Sequence, residues 1–194
     1  PRVFVTRQFF PEALEVLTDA AETEVWPHDD PPTPEQLLEK IDGADVVLTN
    51  IMDRIDSNVL GAAHRLKVSQ LGVGVDNIDV AEATRREVLV GNTPGVLAKA
   101  TADIGFGLLM SAARRISESD RWLRAGKWTM QYHPMVWLGA EVHEATLGIV
   151  GMGQIGLEMA KRALGFDMRV IYYSRTRKPD LEAEYGLELS LIHI

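Results

Sequence analysis

Along the first ninety residues short apolar runs alternate with segments whose apolar positions recur at helical spacing. Val3–Thr6, Glu22–Trp26, Ala44–Thr49, Leu66–Leu71 and Val88–Val90 read as five strands, the second more exposed than the rest. Between them, Pro11–Leu17, Glu35–Ile41, Asp56–Ala63 and Ile78–Arg86 read as helices. Thr33, followed by Pro34 and with Gln36 three residues on, predicts a capping box opening the second helix. Alternation of this kind predicts a parallel sheet with helices on both faces.

The rhythm breaks at Asn92-Thr-Pro-Gly95, and we place the domain boundary at 97/98. From Ala98 to about Gly126 the pattern predicts one long helix. Its half Ile104–Ala113 is apolar nearly all round and is expected to be buried on several sides. Gly105 and Gly107 within it imply close packing on another element or on a second subunit. Lys127–Glu144, with its aromatic and proline residues, reads as an irregular connection.

Leu147–Val150 is then a buried strand, Leu157–Leu164 a helix and Met168–Tyr173 another strand. Between the first two lies Gly151-Met-Gly-Gln-Ile-Gly156. Gly151 suits the tight turn, Gly153 lets a pyrophosphate approach the backbone, and Gly156 lets the helix lie close on the strand. The free N–H groups of the helix's first turn then face the anion. A lone GxGxxG is weak; the flanking strand, helix and second strand supply the context that it requires.

Composition narrows the classes. The chain has 194 residues, 46% hydrophobic and 25% charged, as for ordinary globular proteins. It contains no cysteine, which excludes disulfides, thiolate metal sites and a cysteine nucleophile and fits a cytoplasmic setting. A net charge of −8 disfavours a broad nucleic-acid or anionic-membrane surface, and no apolar run approaches spanning length. No metal site is expected, since His28-Asp-Asp30 lacks spaced partners.

An NAD site calls for Asp or Glu about twenty residues past the glycines. That place holds Ser174-Arg-Thr-Arg-Lys178. Hydroxyls and guanidinium groups would accept a 2′-phosphate that a carboxylate would repel. Three cations in five residues read as a local anion pocket, or else as a solvated basic loop. The position favours NADP, with NAD as the alternative.

The linked order of Gly72-Val-Gly-Val-Asp-Asn-Ile-Asp79, Asn92-Thr-Pro-Gly95, Ala100-Thr-Ala-Asp103, Arg124-Ala-Gly-Lys-Trp128 and Leu147–Gly156 resembles the N-terminal part of the D-isomer-specific 2-hydroxyacid dehydrogenases. The nearest branch is similar to glyoxylate/hydroxypyruvate reductase. The resemblance implies an α/β fold, in which a flavodoxin-like substrate domain (1–97) precedes the first, truncated part of a Rossmann dinucleotide-binding domain (98–194). It implies that the backbone N–H groups of Val73 and Gly74 hold a 2-keto acid's carboxylate, with Asn50 and Met52 lining the same cleft. It places Thr101 near the nicotinamide half of the cofactor, unless its hydroxyl bonds within its own helix. Gly151, Met152, Gly153, Gln154, Ile155, Gly156, Ser174, Arg175 and Thr176 complete the cofactor contacts. Asp76 and Asp79 read as helix-capping carboxylates.

The family's histidine acid, its orienting glutamate and a substrate-gripping arginine would lie beyond residue 194. No catalytic residue is therefore expected within these residues, and the 194 residues alone are expected to be inactive. His28, His64, His133, His143 and His193 read as surface or packing residues, and Leu189–Ile194 as an apolar tail without helix or strand partners whose last residues need not be native, or else as a genuine edge strand. The long helix implies a homodimer. Two other readings are a non-enzymatic NAD(P)-binding sensor of the corepressor type and a phosphite dehydrogenase, which would carry lysine at Val73.

Overall fold

The computed structural model describes residues 1–62, 66–129 and 133–190. The chain divides into two compact units, Pro1–Gly95 and Val96–Ile194.

In the first unit β1 (Arg2–Val5), α1 (Pro11–Ala20), β2 (Glu22–Val25), α2 (Pro34–Ile41), β3 (Val46–Asn50), α3 (Ser57–Ala62), β4 (Lys67–Leu71), α4 (Val80–Arg85) and β5 (Val90–Gly91) alternate. The sheet runs β2-β1-β3-β4-β5, with every pairing parallel. This is the 2-1-3-4-5 order of flavodoxin-like folds, as expected. Its core gathers Phe4, Trp26, Leu37, Ile41, Val47, Ile55, Leu60 and Val68, strand residues meeting the apolar faces of α2 and α3. Both halves of the expected capping box form: the Gln36 amide donates to Thr33 Oγ1, and the Thr33 amide to Gln36 Oε1.

Two boundaries move. Helix α4 starts at Val80, because Ile78 is used by the sheet side: Ile55 donates to the Asn77 carbonyl, and Asp79 to that of Ile55, both at 2.9 Å. Asp79 then caps α4 by accepting from the Glu82 amide at 2.9 Å. Asp76 does not cap it and lies exposed in the preceding turn. Strand β5 begins only at Val90, since the Val88 amide closes the end of α4 on Ala83 O at 2.8 Å.

The second unit holds α5 (Ala98–Ala113), α6 (Ile116–Arg124), β6 (Thr146–Val150), α7 (Gln154–Leu164), β7 (Arg169–Tyr173), α8 (Pro179–Tyr185) and β8 (Glu188–Leu189). Its sheet, β6-β7-β8, is parallel. This is the first half of a Rossmann arrangement. Its core combines Phe106 of α5 with Ile149, Ala160, Ala163, Met168, Val170, Tyr172 and Leu187. Between α6 and β6 the described residues form no helix or strand.

Three expectations are corrected here. The single long helix is broken at Arg114–Arg115, where Arg115 takes a left-handed φ of 57°. The cause is a competitor for a carbonyl: in an uninterrupted helix Ala113 O would accept from Ser117 N, but it accepts from Ala140 N at 2.9 Å. Gly139 passes so close that an added Cβ would sit 2.4 Å from that oxygen. The Arg115 guanidinium lies 4.7 Å from the Trp137 ring centre, holding the corner. Second, α5 is not buried on several sides within this chain. Ala98, Ala102 and Phe106 are covered, while Ile104 and Leu108 are 68% and 66% exposed. Gly105 does serve close packing, as a Cβ there would lie 3.1 Å from Met159 Sδ; Gly107 faces open space. Third, Leu189 is not the start of a partnerless tail. With Glu188 it pairs to β7, and Ser190 N donates to Tyr172 O at 2.9 Å. Residues 191–194, like His64, lie outside the described residues.

Candidate functional site

The first part of the site is the turn after β4. Gly72 enters it against Ile51, whose Cγ2 would be 2.7 Å from an added Cβ, so any side chain there would have to displace the exposed Ile51 in the loop after β3. Three successive carbonyls of the turn are then tied down. Gly72 O accepts from Thr93 N at 3.0 Å, Val73 O from Asn92 Nδ2 at 2.8 Å, and Gly74 O from Gln70 Nε2 at 3.2 Å. In a planar trans peptide the N–H points opposite its C=O. The amides of Val73, Gly74 and Val75 are thus aimed by their neighbours' bonds. Those of Val73 and Gly74 donate to no described residue. A run of oriented, unused N–H groups is a ready anion cradle.

Asn50 ends β3, and Met52 lies in the loop that follows it, beside this turn. The Asn50 side chain is committed locally, its Oδ1 accepting from Met52 N at 2.7 Å. Met52 is exposed and lines an open cleft of about 430 Å³ together with Arg54, Asp56 and Asp76–Asp79.

The second part is the corner where β6 and β7 end. Gly151 turns with a φ of 100°, which L side chains rarely adopt. At Gly156 an added Cβ would fall 2.3 Å from Gly151 O and 3.3 Å from Ile149 Cγ2, so the helix lies on the strand as closely as the motif demands. At Gly153 an added Cβ meets nothing within 4 Å: the space over the turn is open. Gly153 caps α7 with no side chain, leaving the amides of the helix's first turn facing that space. Met152 is buried beneath, whereas Gln154 and Ile155 are exposed. The donor set, the open space and the dipole fit a dinucleotide pyrophosphate.

Val150 and Tyr173 are register partners, and the Gly151 amide donates to Tyr173 O at 2.8 Å. Ser174, half-buried, and Arg175 and Thr176, both exposed, follow directly. Among the described residues no carboxylate pairs with Arg175. Arg177 is different, and here the expected pocket of three cations is corrected. Its Nε and Nη2 donate to Glu182, at 3.0 Å to Oε1 and 2.7 Å to Oε2. Tyr172 Oη donates to the same Oε1 at 2.6 Å and accepts from Lys178 N at 2.8 Å. Arg177, then the Tyr172 hydroxyl, hold the Glu182 carboxyl below the usual carboxylate range. Burial, then Glu182, push the Tyr172 hydroxyl up. Arg177 therefore braces the loop against α8, whereas Arg175 has no such partner among the described residues.

Thr101 is exposed on the first turns of α5, and its hydroxyl bonds to no described residue. Each described histidine has a local setting: His28 edges Trp26 at 4.9 Å, His133 Nδ1 accepts from Met135 N at 3.2 Å, and His143 Nε2 lies 3.0 Å from Glu141. Among the described residues no group of His, Asp and Glu could hold a metal ion, and no helix is long and apolar enough to cross a membrane. Sequence reasoning passed over Gln70, Asn77, Asn92 and Thr93. The available signal was Gln70 and Thr49, polar residues at core-facing positions of their strands.

The sequence pattern of the D-isomer specific 2-hydroxyacid dehydrogenase catalytic domain matches residues 3–178. The chain belongs to this family. It is 50% identical over 192 residues to a glyoxylate reductase of Aeropyrum pernix, covering 97% of this chain and 57% of that relative. Among solved structures, a Thermus thermophilus protein superposes with a TM-score of 0.87 at 40% identity, over 98% of this chain and 60% of that one. An NADPH-dependent glyoxylate/hydroxypyruvate reductase of Sinorhizobium meliloti, in complex with citrate, does so with a TM-score of 0.78 at 28% identity, over 99% and 58%. The chain thus spans somewhat over half the length of these relatives.

Proposed function

We propose that this chain carries the substrate domain (1–97) and the start of the dinucleotide domain (98–194) of a cytoplasmic reductase. It would convert a small 2-keto acid, glyoxylate or hydroxypyruvate, to the 2-hydroxy acid with NADPH. The observation that carries the cofactor choice is the corner Ser174-Arg175-Thr176. It sits one residue past the partner of the glycine turn and offers hydroxyls and a guanidinium with no carboxylate partner among the described residues, where an NAD site would hold a carboxylate. The similarity to a glyoxylate reductase and to an NADPH-dependent reductase supports the same reading.

When bound, the nicotinamide supplies the hydride. The chain's own residues bind and orient. The amides of Val73 and Gly74 take the substrate carboxylate, with Asn50 shaping the loop that presents Met52 to the same cleft. Gly153 leaves the backbone bare for the pyrophosphate, and the amides of Gln154, Ile155 and Gly156 meet its charge beside Gly151 and Met152. Ser174, Arg175 and Thr176 grip the 2′-phosphate, and Thr101 serves the nicotinamide half. The proton donor, its orienting glutamate and a substrate-binding arginine are assigned to a stretch beyond residue 194, since each described histidine is engaged locally. The exposed apolar face of α5 is assigned to a homodimer contact.

The test is full-length protein with glyoxylate, following reduced-nicotinamide absorbance with NADPH and with NADH. The expected result is a lower KM for NADPH, and no turnover by residues 1–194 alone. Turnover by that piece would overturn the placement of the proton donor, and a preference for NADH would overturn the cofactor choice.

A further inference from the structure

Under the turn after β4 runs a chain of buried polar groups that binding as described above does not use. Thr49 Oγ1 donates to Gln70 Oε1 at 2.7 Å. Gln70 Nε2 donates to Asn77 Oδ1 at 2.8 Å as well as to Gly74 O. Asn77 Nδ2 passes the chain on to Asp53 O at 2.7 Å, in the loop after β3, and to Asn50 O at 3.2 Å, at the end of that strand. There the Asp53 carboxylate accepts from Asn50 N at 2.9 Å and from the Thr6 hydroxyl, with Arg7 3.5 Å from its other oxygen.

Gln70 is 1% exposed, so its amide has no water to fall back on and its orientation is set by these partners. Both of its polar atoms are used, and one donor reaches the backbone of the turn itself. From the opposite, solvent side Asn92 does the same for Val73 O. Between them the two side-chain amides hold both peptide planes that flank Gly74. Glycine at that position would otherwise sample many orientations.

We propose that Gln70 and Asn92 are positioning residues for substrate binding: Asn92 clamps the Val73 carbonyl, whose peptide plane carries the anion-binding Gly74 amide, and Gln70 clamps the Gly74 carbonyl on the plane that follows, so that Gly74 is fixed from both sides before the substrate arrives. This rests on the reading that the Val73 and Gly74 amides take the substrate carboxylate. Pre-organised donors bind without spending affinity on their own ordering. Loss of either clamp therefore acts on the substrate and leaves the dinucleotide corner, in the other unit, untouched.

The experiment uses full-length protein. Gln70→Glu keeps size and the acceptor for Thr49 but turns the donor into a carboxylate facing Gly74 O and Asn77 Oδ1. Asn92→Ala removes the outer clamp at an exposed position, where folding is not at stake. The expected result is a KM for glyoxylate raised ten- to a hundredfold by Gln70→Glu and about tenfold by Asn92→Ala. The Kd for NADPH, read by fluorescence titration, stays within twofold of the parent. Should Gln70→Glu not fold, Gln70→Asn, one methylene too short to reach Gly74 O, carries the same expectation. A KM within twofold of the parent in Asn92→Ala and in the folded Gln70 variant overturns the proposal, as does a loss confined to kcat and melting temperature. Val73→Pro separates this from failure of the underlying reading, because it deletes one anion-facing N–H. If it leaves KM unchanged, the carboxylate site itself is misplaced. If it raises KM while the clamp variants do not, only the role of Gln70 and Asn92 falls.

Discussion

The amide of Gly151 donates to the carbonyl of Tyr173 across 2.8 Å, joining the glycine turn to the corner that begins at Ser174. Val150 and Tyr173 are also register partners. The spacing between the glycine turn and the Ser174–Thr176 corner is therefore set by a strand ladder, which yields little. Both partners leave apolar surface exposed at the end of the sheet, 71% for Val150 and 42% for Tyr173, where a parallel strand would otherwise be covered.

Gly153→Ala and Gly156→Ala are expected to part company. The new methyl at 153 meets no atom within 4 Å, so stability should stay within about 0.5 kcal/mol of the parent while NADPH affinity falls tenfold or more. At 156 the methyl would be 2.3 Å from Gly151 O, and the overpacked turn should cost about 1–3 kcal/mol along with affinity. Thermal melts beside NADPH titrations check both.

Arg175→Ala should weaken NADPH binding about tenfold, the loss of one charge-assisted contact, and leave NADH binding unchanged. Arg177→Ala is expected to weaken both dinucleotides alike, because it frees the loop from Glu182 and removes no ligand contact. Ser174→Asp should reverse the preference by repelling the 2′-phosphate. The ratio of the two dissociation constants is the readout.

Stability in acid should register Glu82. Arg85, then Arg86, donate to its carboxylate, Arg85 Nε at 2.8 Å, and lower its pKa to about 2. A carboxyl whose folded pKa lies below its unfolded value, about 4.3, stabilises the fold above that unfolded value, and the contribution is lost as pH falls toward 2. Glu82→Gln should therefore be less stable than the parent at pH 7. The gap should narrow below about pH 4.5 and shrink in high salt, since the pairs are at the surface. Urea melts across pH 7 to 3 measure it.

Ile104 and Leu108 stand exposed on α5, next to half-buried Met110 and Ser111. If that face meets a second copy, Ile104→Lys with Leu108→Lys should shift the full-length protein from dimer to monomer in sedimentation velocity, with the melting temperature falling in a concentration-dependent way. An unchanged sedimentation coefficient would remove the face from consideration as an interface.

Local chemistry was legible in the chain before any coordinates. Strand and helix alternation, the Thr33 capping box, the Asp79 cap, the tight turn at Gly151 and the close helix approach at Gly156 depend on residues within a few positions of one another, and each is present in the structure. Hydrophobic periodicity and turn chemistry carry that information directly. What the chain did not disclose depends on partners brought together by folding. Ala140 takes the Ala113 carbonyl and breaks a helix whose own sequence would have continued. Glu182, carried in on α8, takes the Arg177 guanidinium that the sequence left free for an anion. Asn92 and Thr93, about twenty residues away from the turn, and Gln70, hidden under it, aim the amides that the motif merely supplies. A hydrogen-bonding group in a sequence has many possible partners, and which one it keeps is settled by the element packed against it once water has been excluded.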